Sequence, residues 1–364
     1  MKVAILGAGN AGCAVACDLT LKGHEVTLIK TSGSMHNDNF RYLLENDGKI
    51  SIWEKGETRT TNISKVSTDL ADMSDAEVII IYIQTCYHED LVKRMKDHLR
   101  KDQIIIVNPG YFTTAYFLKY CPVEELNLTI VEATSSFIDC RISEPGHVRA
   151  GFRNVRNPIG VYPHKRTKEM EEKLDCLGFH FHAWTTVEVA LHNPNLIVHT
   201  VGAIMSIPRI EKTHGEYVMY HEVYSRDNLA VWHILEQLDA EKMNVLEALE
   251  CPRLSYPDAA KFRNTLDDSM DAKESFMRYA EMPTRAKGPV TVDSRYITED
   301  VPQGLVMLET LGKQLHIPTP VCTALIEIAN AALQRDFRAV GRSVSSLGEE
   351  NINKILMDSR SKGE

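Results

Sequence analysis

The chain has 364 residues, 43% of them hydrophobic, enough apolar material for two domains with a core each. Its formal net charge of −9, from 50 Asp and Glu against 41 Lys and Arg, argues against a nucleic-acid binder, because phosphate contacts need cations in excess on one face. The first strand pattern starts at Lys2, leaving no room ahead of it for a signal or transit peptide, and no apolar run reaches bilayer length. The expectation is a cytoplasmic protein with no membrane partner.

The opening "VAILGAGNAG" places Val3–Leu6 in a short β run, follows it with glycines, and continues into "CAVACDLTLKG" at helical spacing. Gly7 allows a tight turn, Gly9 lets backbone approach a pyrophosphate, and Gly12 lets the helix pack against the strand. With Asn10 and Ala11 between them, these residues form a candidate dinucleotide-binding turn at a helix N-terminus. "HEVTLIK" supplies the second strand immediately, which is the context the motif needs. An acid at its end would hold the ribose hydroxyls of NAD. Lys30, Thr31 and Ser32 stand there instead and suit a 2′-phosphate, favouring NADP; Asp38 is the alternative for NAD.

Strands are expected at "AEVIIIYIQT", "QIIIVNPG" and "NLTIVEATSSF", with the amphipathic helix "HEDLVKRMKDHL" between the first two. This alternation predicts a doubly wound parallel sheet in an α/β domain over residues 1–187. Thr85 and the loop Asn108–Phe112 then fall beyond carboxyl ends of strands, near a cofactor. "RNPIGVYP" and "GFHFHAWTT" read as final strands, with His180 and His182 on one face as surface or structural residues. The eight cysteines contain no Cys-x-x-Cys pair, so they suit reduced thiols, and no metal site is expected.

From about Glu188 the pattern turns helical, predicting an all-α substrate domain over 188–364, in "NLIVHTVGAIMS", "SRDNLAVWHILEQLDAEKMNVLEAL", "PQGLVMLETLGKQL" and "PVCTALIEIANAALQRDF". Pro194 fits a first helical turn, and Asn195 and His199 share a face. A histidine among Ile197, Val198 and Val201 is either a satisfied core residue or lines a cavity. In "SRYITEDVPQGLV", Glu299 and Asp300 before Pro302 make an ordinary helix start. That does not account for Arg295 and Tyr296 in the same short segment.

With "GAGNAG", "NPGYF", "VEATSSFIDCRISEPGHVRAG", "HNPNLIVHTVG", "YHEVYS", "SRYITEDVPQGLV" and "GRSVSSLG", nearly the whole chain resembles the opine dehydrogenase family, the octopine and nopaline dehydrogenase group. The resemblance implies a Rossmann domain followed by an all-helical substrate domain. It also implies reductive condensation of an amino acid with a 2-oxo acid, pyruvate by analogy, using a reduced nicotinamide cofactor. His199 and Asp300 match the family's catalytic pair and Arg295 its loop arginine. The chemistry agrees: a guanidinium grips a carboxylate with two parallel hydrogen bonds, and an acid beside a histidine fixes its tautomer and stabilises its charged form. Asn195 is expected to hold the substrate carbonyl or the nicotinamide, Tyr220 with Glu222 to line the amino-acid side, and exposed apolar faces of the helical domain are compatible with a homodimer. Two rivals remain. One is a simple 2-oxo acid reductase, similar to ketopantoate reductase or glycerol-3-phosphate dehydrogenase, which relies on a lysine in its helical domain. The other is a non-catalytic NADP-binding sensor.

Overall fold

The computed structural model describes residues 1–360 apart from Thr284. The chain divides into two compact units, Met1–Thr186 and a second beginning at Val187. In the first unit, strand β1 (Lys2–Leu6), helix α1 (Asn10–Leu21) and strand β2 (Glu25–Ile29) form the opening βαβ motif, followed by α2 (Asn37–Glu45). Then come β3 (Lys49–Glu54), β4 (Glu57–Asn62), β5 (Lys65–Ser67), β6 (Val78–Ile81), α3 (His88–Met95), β7 (Ile104–Val107), α4 (Thr114–Tyr120) and β8 (Thr129–Ala133). The unit closes with β9 (Ile138–Glu144), β10 (His147–Arg153), β11 (Asn157–Tyr162), α5 (Thr167–Leu174) and β12 (Phe181–Trp184).

Eight strands make one sheet in the order β12-β11-β8-β7-β6-β1-β2-β5. The strands from β8 to β5 run parallel, and the order reverses between β1 and β6, the switch point beside which such sheets bind ligands. β6 and β7 are apolar and buried at every position because both sheet faces are covered. At the far edge β11 is antiparallel to β8, and β12 follows β11. His180 lies outside β12 in a left-handed conformation, so it does not alternate with His182 as the sequence pattern suggests.

A second sheet, β4-β3-β10-β9, has no counterpart in the sequence reading. Lys55 and Gly56, both at positive φ, form its two-residue hairpin turn. Its inner face carries Ile50, Ile52, Cys140, Val148 and Ala150 into a core shared with Cys13 and Cys17 of α1. Helix α1 is consequently buried from Gly12 through Leu19. Burial pushes the Cys13, Cys17 and Cys140 thiols up to about 12, so they are inert. Arg153 ties this sheet to the helix, donating to Glu54 at 2.6 Å and to Asp18 at 2.8 Å.

In the second unit the chain runs through α6 (Thr186–Leu191), α7 (Pro194–Met205), α8 (Ile207–Thr213), α9 (Met219–Val223), α10 (Leu229–Glu247), α11 (Tyr256–Asn264) and α12 (Ala272–Ala280). A turn of helix α13 (Arg295–Thr298) then leads to a π-helical turn (Val301–Leu305) and on into α14 (Val306–Gln314). α15 (Pro320–Leu333), α16 (Phe337–Val340), α17 (Val344–Leu347) and α18 (Glu349–Arg360) complete it. The Asn193 side chain caps α7 by accepting from the Asn195 N–H at 2.9 Å, with Pro194 in the first turn. Among the described residues no helix is long and apolar enough to cross a membrane.

Glu309, only 3% exposed, joins three helices. It accepts two hydrogen bonds from Arg338 at 2.7 and 2.8 Å, one from Lys313 at 2.9 Å and one from Thr323 at 2.8 Å. Arg338 leads in lowering this carboxyl from 4.5 to about 2. A carboxyl depressed in the folded state stabilises it above the unfolded-state value and loses that contribution as pH falls through the folded one. Glu309→Gln is therefore expected to destabilise the helical unit by roughly 2–4 kcal/mol at neutral pH. The gap to the parent protein should close between pH 4.5 and about 2, as read by urea denaturation across that range.

Candidate functional site

In the first unit the glycine turn is set by close backbone approach. A Cβ on Gly7, whose φ is +118°, would lie 2.1 Å from the Tyr82 carbonyl oxygen, and one on Gly12 would lie 1.8 Å from the Gly7 oxygen. Gly9 occupies the N-cap of α1, which has no side-chain cap and no acid in its first turn. Its first-turn N–H groups therefore suit the pyrophosphate of a dinucleotide. The Asn10 side chain is engaged elsewhere, its Oδ1 accepting from the Ile142 N–H at 2.8 Å and so pinning β9 to the start of α1. Ala11 is half-buried one residue on.

Lys30 does not reach into solvent. It is buried, and its ammonium donates to the Ser32 carbonyl at 2.5 Å and the Ser32 hydroxyl at 3.2 Å. Thr31 follows, its carbonyl accepting from Arg94 at 3.3 Å. Asp38, its side chain 86% exposed, stands 3.9 Å from Arg41 in a cleft also lined by Ser34, His36 and Asn37. Thr85 is buried and opens the turn directly after β6, at the switch point.

Beyond β7, the loop Asn108–Phe112 is held by a residue that sequence reasoning missed. Glu132, fully buried at the end of β8, accepts at 2.7 Å from each of the Phe112 N–H, the Thr114 N–H and the Thr114 hydroxyl. A carboxylate in so apolar a strand needs such partners. That need was the available signal. Gly110 lies so close that a Cβ there would sit 2.2 Å from the Glu132 carboxylate.

In the second unit His199 Nδ1 lies 2.9 Å from Asp300 Oδ2, across 101 residues of chain. The His199 side chain keeps 21% of its surface exposed and that of Asp300 5%, so the ring is accessible while its acid is covered. Burial pushes the Asp300 carboxyl above the ordinary carboxylate range, His199 pulls it back, and Glu299 adds to the rise. Tyr296 meets the His199 ring edge-on with centroids 4.0 Å apart. Arg295 and Tyr296 occupy the helical turn α13, not a loop. Arg295, with 65% of its side chain exposed, donates from Nε to the covered Glu299 carboxylate at 2.5 Å. Beside it the Ser294 hydroxyl is buried with no hydrogen-bond partner.

The π turn carries Asp300 to α7. Pro302 has no N–H to give a regular helix, and π turns are frequent at functional sites. A Cβ on Gly304 would lie 3.4 Å from Leu196, so the turn and the helix bearing His199 pack closely. Fully buried Arg342, from the "GRSVSSLG" segment, supports the turn by donating from its N–H to the Pro302 carbonyl at 3.0 Å and from Nε to Gln303 at 2.7 Å.

The other predicted residues fare differently. Asn195 is half-buried on the first turn of α7. Tyr220 is buried among Tyr224, Phe276 and Tyr279, whereas Glu222, two residues along the same short helix, points outward and pairs with Arg209 at 2.7 and 2.9 Å. The helical unit does contain a buried lysine, Lys242 on α10. Its ammonium lies 2.6 Å from Asp239 and 3.2 Å from His192 Nδ1, supporting the segment that caps α7. No cluster of metal-binding side chains occurs among the described residues.

Residues 183–333 match the alpha-helical domain of NAD/NADP octopine/nopaline dehydrogenase, and residues 3–156 match ketopantoate reductase PanE/ApbA. The chain is 25% identical to the opine dehydrogenase of Arthrobacter sp. (strain 1C), covering 95% of this chain and 94% of that protein. Among solved structures, octopine dehydrogenase with NADH and pyruvate superposes with a TM-score of 0.75 at 16% identity, covering 100% of this chain and 99% of the other. NADP+-bound yersinopine dehydrogenase superposes at 0.68 and 14% identity, with the same coverage. At such identities the structures establish the shared fold.

Two substitutions test the first unit's loop. Gly110→Ala is expected to destabilise it by about 1–3 kcal/mol through overpacking. Glu132→Gln is expected to cost a similar amount by leaving a buried N–H donor unsatisfied. Urea denaturation measures both, and wild-type midpoints would remove Glu132 from its supporting role.

Proposed function

Because the chain belongs to the opine dehydrogenase family, we propose that it joins the amine of an amino acid to the carbonyl of a 2-oxo acid, pyruvate in the first instance, by NAD(P)H-dependent reductive condensation. The observation that carries this reading is the 2.9 Å contact between His199 and the buried Asp300. Condensation of amine and carbonyl releases water and forms an imine, whose reduction takes up one hydride and one proton. The nicotinamide, when bound, supplies the hydride. His199 moves the protons at its exposed ring edge, as general base toward the attacking ammonium and as general acid toward the departing water. Asp300 fixes the ring's tautomer and favours the imidazolium that forms.

Arg295 holds a substrate carboxylate, and the Ser294 hydroxyl beside it supplies a further donor. Asn195 presents its amide one turn before His199. Gly9, Asn10, Ala11 and Gly12 hold the cofactor's pyrophosphate through backbone N–H groups, Gly7, whose own N–H donates to the Ile29 carbonyl at 2.8 Å, shapes the turn, and Thr85 lies beside it. NADPH is the preferred cofactor in this reading: two of the three Lys30 donors go to Ser32, and the third, with Thr31, serves the 2′-phosphate. Tyr220 acts on substrate only through Arg285, against which it stacks.

Purified protein should oxidise NADPH when pyruvate and an amino acid are both present and not with pyruvate alone. Oxidation with pyruvate alone would make it a simple 2-oxo acid reductase, and a faster reaction with NADH would shift the ribose contact to Asp38. His199→Ala is expected to lower kcat by about 100- to 10,000-fold while leaving the cofactor Kd unchanged. An unaltered kcat would remove His199 from the mechanism.

A further inference from the structure

The proposed reaction brings together two carboxylates, one from each substrate, and both persist in the product. The basic side chains around His199 have protein partners: His199 with Asp300, and Arg295 with Glu299 at 2.5 Å. Arg295 alone is a weak match for a doubly anionic ligand.

A second arginine stands in the same unit, built unlike the surface cations. The Arg285 guanidinium sits in a corner made by two tyrosine rings inclined at 85°, its Cζ 4.1 Å from the centroids of both Tyr220 and Tyr279. Two ring contacts at right angles hold the guanidinium in place, and its planar fork is the group that grips a carboxylate with two parallel hydrogen bonds. The segment carrying it is fastened on either side. His221 Nε2 lies 3.1 Å from the Met282 carbonyl, the Gly288 N–H donates to the Tyr217 carbonyl at 2.7 Å, and Lys287 pairs with Glu216 at 2.6 Å. The ordering entropy of a long side chain is therefore met in the free protein.

Its position relative to His199 follows from helix packing. Gly202, one turn beyond His199 on α7, packs against α9: a Cβ there would lie 3.0 Å from the Met219 sulfur and 2.9 Å from the Tyr224 hydroxyl. Tyr220, which stacks on Arg285, is the residue after Met219. Tyr296, which touches His199, lies within electrostatic reach of Tyr220.

We propose that Arg285, held in the corner of the Tyr220 and Tyr279 rings, is the anchor for the α-carboxylate of the amino-acid substrate, leaving Arg295 to the 2-oxo acid. The inference rests on the proposed reaction, and its test separates the two. Amino acids are compared with their decarboxylated amines, arginine with agmatine and phenylalanine with phenethylamine, in the parent protein and in Arg285→Gln and Arg285→Lys. Arg285→Gln should lower kcat/KM for the amino acids by about 10- to 100-fold and leave that for the amines, and the pyruvate KM, within about twofold, so that the preference for the acid collapses. Arg285→Lys, which keeps the charge and loses the fork, should fall between. Equal losses for acids and amines, or an undiminished preference, would make Arg285 a fastening for its segment and overturn the proposal. Should the parent protein turn over neither class, the proposed reaction fails on its own. Calorimetric titration with the amino acids then decides the anchor: binding lost in Arg285→Gln supports it, while equal binding, or none to the parent, overturns it. Matching thermal melts establish that the variants fold.

Discussion

A single hydrogen bond, from His199 to Asp300, sets the demands on the helical unit. A pair separated by 101 residues holds its distance only if the two backbones that carry it are fixed independently. α7 is fixed at its start by the Asn193 cap and by Lys242 reaching His192. The π turn is fixed by Arg342 on its carbonyl and side-chain amide and by close packing on Leu196. The buried lysine of the helical unit, Lys242, thus stands on a different helix from His199 and is engaged in support.

How far this was legible depends on the range of each interaction. The glycine turn, β1, β2 and the start of α7 follow from local rules: glycines where a Cβ would strike backbone, an Asn-Pro cap, strand runs buried on both faces. The His199 and Asp300 pair has no local signature, because its partners meet through tertiary packing. It comes from family resemblance, since the residues themselves favour a core histidine. Arg295 and Tyr296 read as loop because Pro302 ordinarily begins a helix, and a π turn that lets helix run on past it leaves no mark in hydrophobic periodicity. Tyr220 and Glu222 are both expected on the substrate side, but two residues along a helix point in different directions.

Other features are written in the letters and are easily passed over. Glu132 is an acid inside an apolar strand, which announces buried donors nearby. Lys55-Gly56 between alternating runs is a hairpin signal, and recognising it would have revealed the second sheet. Lys30 shows the opposite difficulty: its position after β2 suggests an outward cation, but a neighbouring carbonyl can capture an ammonium within two residues, and no pattern at the level of sequence distinguishes the two.

The second sheet has a consequence for how the chain is made. α1 is synthesised well before β9 and β10 of the sheet that covers it, and it is apolar around much of its circumference because it is sandwiched between two sheets. The Asn10 contact that locks β9 onto it spans 132 residues, which at ordinary synthesis rates of about 5–20 residues per second takes roughly 7–26 s. Through that interval the helix has only part of its covering. Nascent protein stalled before β9 therefore displays a sticky helix that the completed unit conceals, and a chaperone acting on this protein would meet it there.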